Sequence, residues 1–198
     1  MRYVCEYGAG TYTVNVPDLK ASPYFGLLPS VMSLTYLPYY STIDDPVMID
    51  IAKQLSSQLE GRRERIKASV VLAFVQQNIK YVPDEKQYNL PDMWALPIMT
   101  LSSCKGDCDC MANLYVSIAH NMRLDVATVH ITGHMLPAVS FEGGHGQSYT
   151  LGGKDYYHME VTDNLSIAGR FWTRSERFEG IAKPAVPTVE FRNILKKA

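Results

Sequence analysis

Apolar residues recur every three or four positions in three segments of the chain, and this spacing predicts three helices. The first begins at Pro46, behind two aspartates that can cap its N-terminus, and ends at Gly61. The second covers about 62–80. The third covers about 108–122 and is apolar over most of its surface, so we expect it in the interior of the protein.

Alternating apolar and polar residues predict strands on either side of these helices. A hairpin that turns at 8–10 opens the chain, and a meander follows the third helix. The predicted meander strands are 126–131, 134–141, 147–151 and 156–161, the last two joined by a tight turn at Gly152-Gly153. Helices followed by an antiparallel meander indicate an α+β fold in which the central buried helix packs on the sheet.

Prolines interrupt the regular patterns and suggest how the chain is divided. Residues 21–42 carry three prolines among tyrosine, phenylalanine and leucine, which favours an arm packed on the core. Residues 85–103 are predicted to form a loop. The predicted divisions are a hairpin and proline-containing arm (1–43), a core (44–170) and a peripheral C-terminal tail (171–198).

Length and charge restrict the class of protein. A chain of 198 residues that is 46% hydrophobic can bury a core without disulfides or a structural metal. Its net charge of -1, with no basic block, argues against a nucleic-acid partner. No apolar run approaches the roughly 20 residues that span a bilayer, and the N-terminus has no signal-peptide pattern. These features predict a cytoplasmic protein without a membrane span; association with a virion or a cell surface is the alternative.

Cys108 is a candidate nucleophile because it stands where the buried helix begins. Free N–H groups and the helix dipole favour a thiolate there, with a pKa of roughly 3.5–7.5 instead of about 8.5. Gly106 gives the backbone room to turn and a substrate room to approach, and the Cys108 N–H can serve an oxyanion. Gly106, Asp107 and Trp94 are candidate cleft residues, and Trp94 and Gln77 are candidates for the second oxyanion donor.

A nucleophilic cysteine needs a base, and the chain has five histidines. His120 lies twelve residues after Cys108, about 18 Å along the helix axis, and is too far away. His145 lies in a glycine-flanked turn that is typical of exposed loops. His134 heads a strand beside the helix and is the preferred base, whereas His158 is a rival base or a cleft residue.

The imidazole in turn needs a group that orients it by accepting its other N–H. Glu160 lies on a predicted strand otherwise made of tyrosine, methionine and valine, where a carboxylate requires a reason. We therefore predict Glu160 as the orienting acid, with Asp163 as the alternative.

Several motifs together resemble the transglutaminase-like cysteine enzyme superfamily, in particular its small microbial members. These motifs are Gly106-Asp-Cys108-Asp followed by Ala112, Gly133-His134 heading a strand, and Glu160-Val-Thr162 closing an aromatic-rich strand, with Pro97 and Thr100-Leu101 preceding the cysteine. The resemblance covers roughly 45–170. It implies a papain-like fold with a cleft between helix and sheet, and the roles of nucleophile, general base and orienting acid for Cys108, His134 and Glu160.

Three positions depart from the family pattern. Cys110 stands where many relatives have an acidic or aromatic residue, and Glu160 replaces an aspartate. Pro137 interrupts the histidine strand, which predicts a bulge or an edge position.

The other cysteines invite a metal interpretation. However, Cys104, Cys108 and Cys110 lack the paired spacing of zinc knuckles, and no second pair completes four ligands. A disulfide between Cys104 and Cys110 would act as a redox switch that does not persist in a reducing compartment, so packing is the preferred role of both. No metal and no cofactor are predicted.

The sequence thus predicts a thiol-dependent amide hydrolase, a cysteine peptidase or amidase that works through a thioester and acts on a peptide or another amide substrate. A transglutaminase that forms amide cross-links is the alternative within the same chemistry. A non-catalytic assembly module is the alternative from another class, with the tyrosine-rich N-terminal arm docking a protein partner.

Overall fold

The computed structural model describes residues 1–16, 18–163 and 177–197. Its helices are α1 (Pro46–Gln58), α2 (Glu64–Asn78), α3 (Asp84–Gln87), α4 (Pro97–Ser103), α5 (Cys108–Asn121) and α6 (Val189–Asn193). Its strands are β1 (Arg2–Tyr7), β2 (Gly10–Asn15), β3 (Leu27–Pro29), β4 (Lys80–Tyr81), β5 (Lys105–Gly106), β6 (Asp125–Ile131), β7 (His134–Ser140), β8 (Ser148–Leu151), β9 (Lys154–His158), β10 (Phe178–Ala182) and β11 (Leu195–Lys197). This mixture of helix and sheet confirms the predicted α+β class. In these three ranges, no helix has both the length and the apolar character needed to cross a membrane.

Helix α5 forms the centre of the protein. Every residue from Asp109 to Ala119 is buried, because α1, α2 and α4 surround the helix and strands β6 and β7 pack against it. The interior position predicted from its apolar surface is confirmed. The N-terminus of α5, and with it Cys108, is thereby fixed between the helical layer and the sheet.

The main sheet is antiparallel, in the order β10-β6-β7-β9-β8. Strand β7 lies in its centre, so the edge position predicted for Pro137 is wrong. The ladder between β7 and β9 pairs Ala138 with His158 and Val139 with Tyr157, and the Pro137 carbonyl accepts from the Met159 N–H. Proline has no N–H to return that bond, so β9 ends there and the chain turns away towards Glu160.

The N-terminal hairpin confirms the predicted strands β1 and β2, and glutamine side chains line both its edges. The side-chain amides of Gln54 and Gln58 on α1 each donate one hydrogen bond to the β2 backbone and accept one from it. Gln54 pairs in this way with Asn15, and Gln58 with Thr13, at 2.8–3.0 Å. Gln77 of α2 pairs in the same way with the backbone of Glu6 in β1, at 2.9 Å in both directions. The side-chain amides therefore continue the hydrogen bonding of the two strands.

The segment 85–103, predicted to be a loop, contains helix α4 and the end of α3. Proline interrupts a helix in its interior, but at the first helical position its missing N–H costs nothing. Pro97 occupies that position and begins α4.

Residues 177–197, from the segment predicted as a peripheral tail, contribute to the sheet and the core. Strand β10 pairs with β6 at the edge of the main sheet, and β11 pairs with β3. Phe191 is fully buried against Tyr36, Tyr39 and Tyr40 of the proline-containing arm. The tyrosines of the arm are thus used in internal packing. The predicted boundary at residue 170 lies outside the described residues.

Candidate active site

His134, the first residue of β7, is held by Glu160. The Nε2 atom of His134 lies 3.0 Å from Oε2 of Glu160. A carboxylate only accepts hydrogen bonds, so Nε2 carries a proton and donates it. The bond fixes the ring orientation and leaves Nδ1 as the nitrogen that can take up a second proton.

Four donors surround the Glu160 carboxylate, which is 6% exposed. Oε1 accepts the Thr162 N–H at 2.9 Å and the Thr162 hydroxyl at 2.5 Å. Oε2 accepts from His134 and, at 3.4 Å, from Nε2 of the buried His158. Burial alone would raise the pKa of Glu160, but hydrogen bonds from the two histidines and Thr162 outweigh burial and hold the pKa well below its usual range. Glu160 is therefore charged whenever the protein is folded near neutral pH.

Cys108 and His134 line one pocket of about 200 Å³. Tyr81 and Thr162 complete the lining. Strand β4 brings Tyr81 there, because it pairs in parallel with β5 and places Tyr81 beside Gly106. Tyr81 was not predictable from the sequence, since a two-residue strand leaves no periodic signal. Of the two histidines on Glu160, the structure brings His134 to the pocket with Cys108.

The environment of the Cys108 thiol differs from the expected one. Burial raises the pKa of this thiol, and the charges of Asp109 and Asp107 raise it further. The N–H groups of Met135 and Asp109 lower the pKa, but they do not compensate. The expectation that the helix dipole makes Cys108 a resting thiolate is therefore wrong. Any base that activates Cys108 must remove the proton as the sulfur reacts.

Three predicted cleft or oxyanion residues have other surroundings. A Cβ on Gly106 would come within 2.6 Å of the Cys110 Cβ, so this glycine allows β5 to pack against α5 instead of leaving room for a substrate. Trp94 is buried against Tyr40 and His130. Gln77 is bonded to the hairpin, as described above. Trp94 is thus engaged in core packing, and both polar atoms of the Gln77 amide are engaged by the hairpin.

Cys104 and Cys110 are not joined as a disulfide, and no group of close metal-ligand atoms among the described residues combines Cys104, Cys108 and Cys110. All four are free. The Cys104 sulfur lies 3.2 Å from the Tyr3 hydroxyl, and the Cys110 thiol donates to the Met93 carbonyl at 3.4 Å. These separate partners support the packing role for both.

Carboxylates gather beside Cys108. Ligand atoms of Asp84, Asp107 and Cys110 lie within 4.8 Å of one another, and Asp84, Asp92 and Asp109 form an overlapping group. Among the described residues, one oxygen each of Asp84, Asp107 and Asp109 is buried with no N–H or hydroxyl donor facing it. Hard oxygen donors with unused lone pairs suit Ca²⁺ or Mg²⁺ better than zinc. These aspartates are the residues that could hold a divalent cation, whose charge would favour the neighbouring thiolate.

The crowding of these carboxylates predicts how stability changes with pH. Burial and the charge of Asp107 raise the pKa of Asp84 to about 7. Asp84 therefore keeps its proton in the folded protein over a pH range in which the unfolded chain has already released it, from about pH 4. The contribution of Asp84 to the free energy of unfolding is fully present below about pH 4 and is lost as the pH rises to about 7. We expect the free energy of unfolding in the presence of a chelator, measured by urea denaturation, to fall across this range.

Asp84→Asn is the matched variant, because an amide oxygen can still accept the Met93 N–H that Asp84 binds. Its stability should change less with pH, and at pH 8 its Tm should exceed that of the wild type by at least about 3 °C, a shift typical of 1 kcal/mol in a chain of this size. Added Ca²⁺ should raise the Tm of the wild type more than that of the variant. Parallel pH curves for the two proteins would contradict this account.

Comparisons with known proteins give a distant structural likeness. No protein-family model and no curated protein matches the chain. Among solved structures it is similar to LapG of Legionella pneumophila. Calcium-bound LapG aligns with 12% identity and a TM-score of 0.45, over 72% of this chain and 84% of LapG. A second LapG structure gives 12% and 0.42, over 64% and 75%.

The EGTA-treated form of LapG gives 14% identity and a TM-score of 0.42, over 57% of this chain and 60% of LapG. In that alignment the chain spans less than two-thirds of LapG. A likeness at these values carries no argument about family or activity. The roles assigned below rest on the geometry of the site.

Proposed function

We propose that the protein is a cysteine peptidase or amidase with Cys108 as nucleophile, His134 as general base and acid, and Glu160 as the group that orients His134. One observation carries the proposal. An imidazole held through Nε2 by a buried carboxylate lines the same small pocket as a cysteine at the first position of the central helix. The papain-like arrangement implied by the family resemblance belongs to the same proposal.

In the first step, the Cys108 sulfur attacks the carbonyl carbon of an amide while Nδ1 of His134 takes the thiol proton. The tetrahedral intermediate collapses, the carbon–nitrogen bond breaks, and His134 returns the proton to the leaving amine. The products are a free amine and a thioester on Cys108. Because burial and the neighbouring aspartates raise the pKa of the Cys108 thiol, we propose that sulfur attack and proton transfer to His134 occur together.

In the second step, water attacks the thioester while His134 takes one of its protons. The carbon–sulfur bond breaks, and His134 returns that proton to the Cys108 sulfur. The acyl group leaves as a carboxylic acid. Glu160 stays ionised and stabilises the imidazolium present in both steps.

The N-terminus of α5 supplies the electrostatic component. The first N–H groups of a helix have no partner within the helix, so the Cys108 N–H can donate to the developing oxyanion. The Met135 N–H also donates a hydrogen bond to the Cys108 sulfur, and this bond favours the charged thiolate. We propose that these two N–H groups act where Trp94 and Gln77 were considered from the sequence.

A labelling experiment separates hydrolysis from its alternatives. The protein is incubated with a mixture of peptides in H₂¹⁸O containing a primary amine, and the products are analysed by mass spectrometry. Hydrolysis through a thioester puts one ¹⁸O atom on each new carboxyl terminus. We expect such termini with the wild type and none with Cys108→Ala.

Each other outcome has a definite meaning. Amine attached to glutamine side chains, without new termini, would show the transglutaminase reaction. Identical new termini from the wild type and Cys108→Ala would reject a cysteine mechanism. No products from either protein would favour the non-catalytic assembly module.

A further inference from the structure

The acid of the proposed site lies beyond the end of a strand. Strand β9 ends at His158, two residues before Glu160. The ladder of the main sheet therefore does not hold Glu160, and the position of its carboxylate depends on the turn 160–163. Contacts that fix this turn also fix the direction in which Glu160 meets His134.

One side chain of the helical layer fixes the turn at both ends. The amide nitrogen of Gln76 donates to the carbonyl of Glu160 at 2.8 Å and to the carbonyl of Asp163 at 2.5 Å. Gln76 is 8% exposed and lies on α2, which packs against α5. Through Gln76, the turn that carries the acid is attached to the helices that carry the cysteine.

We propose that Gln76 is a positioning residue that holds the Glu160 backbone so that its carboxylate orients His134. The inference rests on the proposed function. Without Gln76, the buried Glu160 carbonyl and the part-buried Asp163 carbonyl lose this donor, and the turn shifts to compensate. Displacements of about 1 Å far from the reacting atoms can cost on the order of 10²-fold in rate. Substrate binding at Cys108 does not require Gln76, so the loss should fall on kcat.

The chain provides a matched control in the next residue. Gln77 lies on the same helix and makes two hydrogen bonds to one backbone segment, as Gln76 does, but that segment is β1 of the hairpin. Methionine preserves the length of glutamine and removes its donors. We therefore compare Gln76→Met with Gln77→Met, together with Gln76→Glu, which keeps the shape and replaces the donor by an acceptor.

We expect kcat of Gln76→Met and Gln76→Glu to fall about 10- to 100-fold with KM within about twofold, whereas Gln77→Met keeps the wild-type kcat. A second readout does not depend on turnover. In ¹⁵N-labelled protein, the Nε2–H resonance of His134 reports its bond to Glu160. This resonance should move or broaden in the Gln76 variants and remain in place in Gln77→Met.

If Gln76→Met does not fold, as judged by circular dichroism, Gln76→Asn is used with the same expectations, since its shorter amide cannot reach both carbonyls. Equal kcat values and an unmoved His134 resonance in the Gln76 and Gln77 variants would overturn the inference, even with an essential Cys108. Conversely, a dispensable Cys108 would end the proposed function, while the resonance would still decide whether Gln76 positions Glu160.

Discussion

Replacing Cys108 by alanine is expected to lower kcat/KM by on the order of 10⁴-fold or more. The reason is that Cys108 is the one thiol among the described residues lining the pocket, and the N–H donors and His134 cannot substitute for a missing nucleophile. The measurement is the rate of amide hydrolysis on a peptide found by the ¹⁸O experiment, with intact-mass analysis to detect an acyl group on the wild type.

Cys104→Ala is the control for this variant. Cys104 contacts the Tyr3 hydroxyl, so its loss affects packing at the end of α4 and leaves the reaction unchanged. The Tm of Cys108→Ala should stay close to that of the wild type, because Cys108 is only half-buried. If Cys108→Ala retained more than a tenth of the wild-type rate while folded, sulfur would not be the nucleophile.

Glu160→Gln is expected to lower kcat by about 10³- to 10⁴-fold. The amide can keep its oxygen on Thr162 and then presents NH₂ to Nε2 of His134, a donor facing a donor. The imidazole responds by carrying its proton on Nδ1, which is the wrong tautomer to accept the thiol proton. Steady-state kinetics of purified variants test this expectation.

Two variants give the matched controls for Glu160. Glu160→Asp retains a carboxylate and should recover part of the rate, whereas Asp163→Asn should change the rate little if Glu160 is the orienting acid. A larger loss from Asp163→Asn than from Glu160→Gln would transfer the role to Asp163.

Stability gives an independent check on Glu160. Its depressed pKa contributes stability that is present above the unfolded pKa, about 4.5, and is lost as the pH falls below it. Glu160→Gln should therefore be less stable than the wild type at pH 7, and the difference should shrink below about pH 4.5. A difference that does not change with pH would contradict the charged, hydrogen-bonded Glu160.

The central helix and the hairpin were predictable because their apolar spacing is strong and uninterrupted. Helix α4 was not, since a proline at a helix start and a proline in a loop look alike in the sequence. The pairing of His134 with Glu160 followed from strand order, although the strand ends three residues earlier than its alternation suggested. Pro137 accounts for that early end, because its missing N–H is on the side of β9. The sequence alone does not reveal which of the two neighbouring strands a proline faces.

Residues brought together by short or irregular elements were beyond sequence reasoning. Asp84 reaches Asp107 through the two-residue strands β4 and β5, which leave no pattern. Gln76 and Gln77 are adjacent and chemically identical, yet one supports the proposed site and the other the hairpin. Because α2 is buried on nearly all sides from Ala68 to Gln76, its apolar pattern does not reveal which glutamine faces inwards.

The glutamines along the N-terminal hairpin bear on how the protein behaves at high concentration. A two-stranded ribbon normally presents rows of unsatisfied backbone groups that recruit strands from other molecules and seed aggregates. Here Gln54, Gln58 and Gln77 occupy such groups with amides of the same chemistry. Natural proteins often protect strand edges with charge or proline. In this protein neutral side chains cover the edges, so we expect this protection to be insensitive to salt.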